Sequence, residues 1–422
     1  MTILLSSCAS TRNFAAAPNL FRIPGLYPDA QIEVAKRTAD ATLYYVTDRQ
    51  IEGHSVDGLI YNERRSPSMA LGRVTASFGS GVTWEELRDV SSGTGNSGKI
   101  RLSLNTAQEL VRFMPVPLPY SDQDGDVVKE YDAGADHRRH VAEFRREIGD
   151  ALRGSRRKEV TVFVHGFQNS FEDAGETMAN IWHYSGRVGV PIFYSWPGNN
   201  NGLFGYYRDQ VSGDYTIYHL KEFLRTLAGV PELENINLIA HSLGTDIATD
   251  ALRELILAER AAGRNPRTSL KISNLILAAP DIDFGVVTQR LIAERFGPAF
   301  GQMTVYINRN DGALALTRRL ASGARFGALE PEKLEYYDRL ALNLFRNVDF
   351  VDVEQVAGRT SHSYFRSNPD VLSDISLILQ TGAKPGSEQR PLEHLSGNFW
   401  AMHVGYPYER RSEIIRDRDS DR

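Results

Sequence analysis

Six short apolar runs lie between residues 159 and 356, each stopped by small or polar residues and most of them separated by helix-patterned sequence. They are EVTVFVHGF (159–167), VPIFYSWPG (190–198), NINLIAH (235–241), ISNLILAAP (272–280), MTVYINRND (303–311) and VDFVDVEQV (348–356). A strand with one wet face alternates apolar and polar residues, whereas a run apolar throughout is covered on both faces. Helical stripes accompany the runs. Val141, Phe144, Ile148 and Leu152 recur at three- and four-residue spacing, as do Phe171, Ala174, Met178 and Ile181 behind a capping Ser170, and residues 215–228 read as a further helix. Such alternation predicts an α/β fold: a mostly parallel, twisted sheet with helices on both faces. In these sheets the reacting groups gather beyond the carboxyl ends of the strands. The residues to weigh are therefore His165-Gly166-Phe167, Trp196-Pro197-Gly198, His241-Ser242, Pro280-Asp281 and Asn310-Asp311.

The flanks divide the 422 residues further. ATLYYVTDR (41–49), ALGRVTASFG (70–79) and KIRLSLN (99–105) have strand composition, so 41–135 reads as a β-rich extension packed on a core of 136–380. Residues 1–40 read as a flexible tail, and 381–422 as a C-terminal extension with a mobile charged end, YERRSEIIRDRDSDR. DQDGDVVKEYD (122–132) places Gly125 between its second and third acids and has no closing Glu, which fails a calcium loop and leaves a solvated acidic loop.

Composition removes several classes of partner. A formal net charge of -5 gives no footprint for nucleic acid. A single cysteine, Cys8, excludes an intrachain disulfide and a cysteine-based zinc site, and no run of about 18 apolar residues is present to span a membrane as a helix. The opening MTILLSSCASTR resembles a bacterial lipobox ending on Cys8, but the segment before it is short and lacks a basic start. Two readings stand: a stray cysteine in the tail, or a lipid-anchored cysteine in a protein whose start lies upstream.

In NLIAHSLGTDIA (237–248) a strand ends at His241 and a helix begins near Gly244. So short a turn holds Ser242 in strained backbone geometry and projects its hydroxyl above the sheet. Crowding requires small residues two before and two after it, here Ala240 and Gly244; the usual elbow, G-x-S-x-G, has Gly at both. The stretches VFVHGFQNSFEDA, FYSWPG, YYRDQ, NLIAHSLGTDIA, LAAPDID, VYINRNDGAL and SHSYF, in that order, resemble the α/β-hydrolase superfamily, most of all the bacterial α/β-hydrolase family catalogued as domain of unknown function 900. YYVTDR and the stretch from ERRS to LGRV add to the likeness.

The resemblance implies a serine hydrolase with chain order Ser, acid, His. Ser242 is then the nucleophile and His362, in SHSYF, its base; His394 and His403 lie further on in the C-terminal extension. Asp311 fits the acid position, with Asp281 and Asp283 as alternatives. Leu243 follows the nucleophile and should supply one oxyanion N–H; by resemblance Phe167 supplies the other. His165 is expected to brace the oxyanion loop and His241 to pack beside the elbow. The loop 199–210 offers Tyr206, Tyr207 and Asp209 as cleft-lining residues or as helix-start packing, and Trp196 as core or cleft wall. Residues 286–301 suit either a lid or a crossover helix. The expected reaction is hydrolysis of a carboxylic ester or related acyl bond in a small or lipid-like substrate, with no cofactor or metal. The alternative is a non-catalytic envelope lipoprotein acting as a binding module. Location follows the reading of Cys8: exported and anchored in the bacterial envelope, or otherwise cytoplasmic.

Overall fold

A computed structural model describes residues 14–22, 26–55, 58–93, 100–129, 131–200, 202–321, 323–357 and 362–408. Cys8 and the charged end from 409 onward lie outside the described residues. The chain opens with β1 (Asp40–Ser55), β2 (Gly58–Phe78), α1 (Trp84–Ser91), β3 (Leu102–Arg112), β4 (Tyr120–Gln123), β5 (Asp126–Lys129) and α2 (Tyr131–Arg153). Next come β6 (Glu159–Val164), α3 (Phe171–Tyr184), β7 (Val190–Ser195), α4 (Gly202–Ala228), β8 (Asn235–His241), α5 (Leu243–Ala261), α6 (Pro266–Ser269) and β9 (Ile272–Ala278). The remainder holds α7 (Phe284–Val286), β10 (Gln302–Ile307), α8 (Gly312–Ala321), α9 (Tyr336–Asn343), β11 (Val348–Asp352), α10 (Glu354–Ala357), α11 (Tyr364–Ser367), α12 (Pro369–Thr381), β12 (Glu393–Ser396) and β13 (Phe399–Ala401).

All strands but β4 and β5 join one sheet in the order β12-β13-β11-β10-β9-β8-β6-β7-β1-β2-β3. Pairing is parallel from β13 to β1 and antiparallel at both margins. The central strands are buried on both faces, as their unbroken apolar sequences require. Along β6, Val160, Val162 and Val164 pack toward the layer of α2, α4 and α5, while Phe163 turns to the layer of α3 and α12. Register brings the strand ends level: Val164 pairs with Ala240, and His241 with Ala278. The polar residues that follow them therefore meet on one rim.

Three expectations change and one open choice is resolved. Residues 14–22 and 26–39 are not a loose tail: Phe14, Phe21, Tyr27 and Ile32 are buried, and the Tyr27 ring stacks on His183 of α3. Their aromatic anchors offset the cost of ordering a segment with few regular hydrogen bonds. The acidic stretch at 122–132 forms the β4–β5 hairpin and runs on into α2. Asp124 and Gly125 both take positive φ (56° and 87°), the requirement of the tight hairpin turn that an Asp-Gly pair signals. The loop assigned to 199–210 is helical from Gly202. Finally, in the segment 286–301 the side chains of Val287, Leu291, Phe296 and Phe300 are buried in the core, so it packs as a crossover.

Candidate active site

The turn between β8 and α5 places Ser242 at φ 53°, ψ −127°. For a residue with a Cβ this conformation costs on the order of 1–3 kcal/mol and persists only where the surroundings enforce it. They do so by crowding. A Cβ on Gly244 would lie 2.1 Å from the His165 carbonyl oxygen, and one on Gly166 would lie 2.8 Å from the Ser242 Cβ. Ala240 sits fully buried in register with Val164, so its methyl group fits where the usual elbow has glycine.

His362 lies between two partners. Its Nε2 is 2.7 Å from Ser242 Oγ, and its Nδ1 is 2.7 Å from Asp311 Oδ2. With Nδ1–H donating to the carboxylate, Nε2 is left to accept the serine proton. Burial pulls the His362 pKa down, but the charge of Asp311 and its hydrogen bond outweigh that, and the net displacement is upward from 6.5. Asp311 is held in turn: its Oδ1 accepts the N–H groups of Ala313 and Leu314 at the start of α8 (3.0 and 3.2 Å).

The alternative acids are engaged elsewhere. Asp281 accepts from the Tyr206 hydroxyl (2.8 Å) and Thr317 Oγ1 (3.0 Å) and faces Arg325, and Asp283 caps α7 through the Val286 N–H. His394 bonds the Gly397 carbonyl, and His403 pairs with Glu393 and Gln355, both away from Ser242. Among the described residues, the backbone N–H groups of Leu243 and Phe167 have no protein acceptor, although each is one residue from a tightly bonded neighbour.

The two flanking histidines are fixed and neutral. The His165 Nδ1–H donates to the Gly166 carbonyl (2.9 Å), Nε2 accepts the Trp196 N–H (3.1 Å), and the ring stacks on Trp196. Burial and then Arg49 push its pKa down to about 3. Trp196 is fully buried and so is core rather than cleft wall. His241 is buried, stacks on Phe365 and donates from Nε2 to the His362 carbonyl (3.1 Å). Burial and the neighbouring His362 hold its pKa well below 6.5.

The family described as alpha/beta hydrolase of unknown function (DUF900) matches residues 140–380, more than half the chain and every contact just described around Ser242, His362 and Asp311. The chain belongs to that family. No curated protein matches this DUF900 hydrolase. Among solved structures, the Pyrobaculum calidifontis esterase (monoclinic form) is similar at 10% identity and a TM-score of 0.29, covering 57% of this chain and 93% of that one.

The sequence left two readings open for several groups around the site of this DUF900 protein. Asp209 is buried and fully occupied, its oxygens accepting the N–H groups of Gln168, Asn199 and Asn200 and the Asn200 side chain. It holds loops and has no oxygen left for substrate. Tyr206 spans the rim, its hydroxyl on Asp281 and its ring against Phe167. Tyr207 projects into solvent. Arg49 went unnoticed within YYVTDR, and it lies upstream of the matched residues.

Proposed function

We propose that this protein is a serine hydrolase that cleaves a carboxylic ester or related acyl bond. The observation that carries the reading is the unbroken chain of contacts from Asp311 through His362 to Ser242. In the reaction, Ser242 Oγ attacks the acyl carbonyl carbon while His362 Nε2 takes the hydroxyl proton. The carbonyl oxygen becomes an oxyanion and accepts hydrogen bonds from the Leu243 and Phe167 N–H groups. His362 then passes its proton to the leaving oxygen, and the acyl group remains on Ser242. Water, deprotonated by the same imidazole, attacks the acyl-enzyme, and as the intermediate collapses His362 returns that proton to Ser242 Oγ and the acid leaves. Asp311 keeps the imidazole in its working tautomer and stabilises the cation formed in each step. A binding module would need neither a strained serine nor an imidazole aimed at it, so the catalytic reading accounts for more of the site.

Fluorophosphonate labelling with the adduct located by mass spectrometry tests the reading. Stoichiometric modification of Ser242 in the folded protein, lost on heat denaturation, is the expected outcome. A folded protein that takes no label at Ser242 and hydrolyses no activated ester refutes it.

A further inference from the structure

The N-terminal extension reaches the rim of the sheet at Arg49, beside Thr47, whose hydroxyl donates to the Ser195 carbonyl. Arg49 stands on β1 and is almost wholly buried. Its guanidinium serves two loops at once. Nη2 donates to the Asn169 carbonyl (2.7 Å), Nη1 to the Gly198 carbonyl (3.1 Å), and Nε to Ser195 Oγ (2.8 Å). Asp209 on α4 grips the same two loops by their donors: Oδ2 accepts the N–H groups of Gln168 (3.1 Å) and Asn199 (3.2 Å), and Oδ1 accepts Asn200 N–H (3.2 Å). Gln168 and Asn199 both have positive φ (56° and 91°), so each loop is held where a side-chain-bearing residue is disfavoured.

We propose that Arg49 and Asp209 are paired positioning residues that clamp the 166–169 loop against the 198–200 loop and thereby set the Phe167 N–H for the oxyanion. The proposal rests on the serine-hydrolase reading of Ser242. Its physical basis is directional. Asp209 holds the Phe167–Gln168 peptide by the Gln168 N–H and Arg49 holds the Asn169 carbonyl, so the chain is anchored immediately after the Gly166–Phe167 peptide that carries the Phe167 N–H and whose carbonyl accepts the His165 Nδ1–H. An oxyanion donor is effective only if it needs no reorganisation when charge develops. Burying two charged groups is costly; Asp209 spends its hydrogen bonds chiefly on backbone N–H groups of the two loops, and Arg49 reaches a carbonyl of each as well as Ser195 Oγ, His165 Nε2 and the Asn62 carbonyl. Burial, the largest influence on each, moves the Arg49 pKa down to about 10 and that of Asp209 upward, while hydrogen bonds from Asn200 and the loop N–H groups favour the carboxylate. The reacting unit thus includes a residue from the extension, about ninety positions before the family match begins.

The test uses the full chain with p-nitrophenyl acetate turnover, fluorophosphonate labelling of Ser242 and thermal melting. Asp209→Asn keeps the side-chain shape but turns an N–H toward loop donors. Arg49→Lys keeps the charge but not the fork. Each is expected to lower kcat by ~10-fold or more while KM moves less than ~threefold, since losing one oxyanion donor outright costs about 10²–10³ in turnover. The double variant should be no more than about threefold worse than the poorer single, because both act on one loop. Arg49→Met strands buried carbonyls and serves only as a folding control; the two conservative variants carry the test. If wild type takes label but either folded conservative variant keeps a kcat within ~threefold of it, or loses activity through KM alone, the clamp is overturned. If wild type takes no label, the hydrolase reading falls first and the oxyanion role of the clamp with it.

Discussion

A hydroxyl becomes a nucleophile only where a neighbour can take its proton, and at Ser242 that neighbour is 2.7 Å away. Ser242→Ala should therefore abolish ester turnover and labelling, a loss of about 10⁴-fold or more, with the melting temperature preserved or raised by relief of the strained turn. His362→Ala should match it in turnover. Asp311→Asn should cost about 10²–10⁴-fold, because the amide favours the wrong imidazole tautomer, and Asp281→Asn and Asp283→Asn should cost less. Assaying the five purified variants against one activated ester checks all of this, and a deeper defect in Asp281→Asn would reassign the acid. The pH dependence follows from the upward displacement of His362. The base must be neutral, so kcat/KM should rise with pH through a midpoint above 6.5. A midpoint below that value would show that burial outweighs Asp311. Much of this was readable beforehand, since Ser242, Asp311 and His362 each follow a strand end and meet because parallel strands bring their carboxyl ends together. Asp209 stayed open between cleft lining and helix-start packing because a carboxylate bonded to three backbone N–H groups and one bonded to substrate look the same in a sequence.

At the scale of elements, the elbow depends on how closely two loops approach. Gly244→Ala places a methyl group 2.1 Å from the His165 carbonyl, so β6 and α5 must separate. Overpacking of this kind costs typically 1–3 kcal/mol, and a lower melting temperature should accompany loss of Ser242 labelling. A variant that melts and labels like wild type would show that the approach is softer than its geometry. The strands were legible because burial on both faces leaves apolar runs bounded by small residues. The start of α4 was not. NNNGLFGYYRDQ carries Asn, Gly and aromatic residues that favour loops, and within the helix the buried Asp209 carboxylate ties the preceding Asn199 and Asn200 to Gln168 of the 166–169 loop. Arg49 was illegible because the Asn169 and Gly198 carbonyls and the Ser195 hydroxyl that it binds lie 120 to 149 residues away.

For the whole molecule, the extension and the core share one sheet. Tyr44–Thr47 pair in parallel with Ile192–Ser195. A fragment of residues 136–380 should consequently expose the β7 edge and aggregate. A soluble fragment that still labels at Ser242 would contradict that expectation and the role given to Arg49. Stability should also carry a trace of Asp246. Burial, then the nearby Asp250, Asp281 and Asp214, raise its pKa from 3.8 to about 7. A carboxyl group raised on folding favours the folded state while protonated, and that contribution is lost as pH rises through about 7. Asp246→Asn should then raise the melting temperature more at pH 8 than at pH 5, and an equal gain at both would count against the shift.

The parallel pairing of β1 with β7 also bears on how the protein is made. Thr47 and its partner Ser195 are 148 residues apart, and His362 follows Ser242 by 120. During synthesis the first hairpin emerges well before the strand it must dock against, which lengthens the search and leaves an apolar edge open to other chains. Under the proposed mechanism Ser242 spends that interval without its base, so a growing chain cannot turn an activated serine on its surroundings, and the onset of hydrolysis would report that His362 has been made and has reached the sheet.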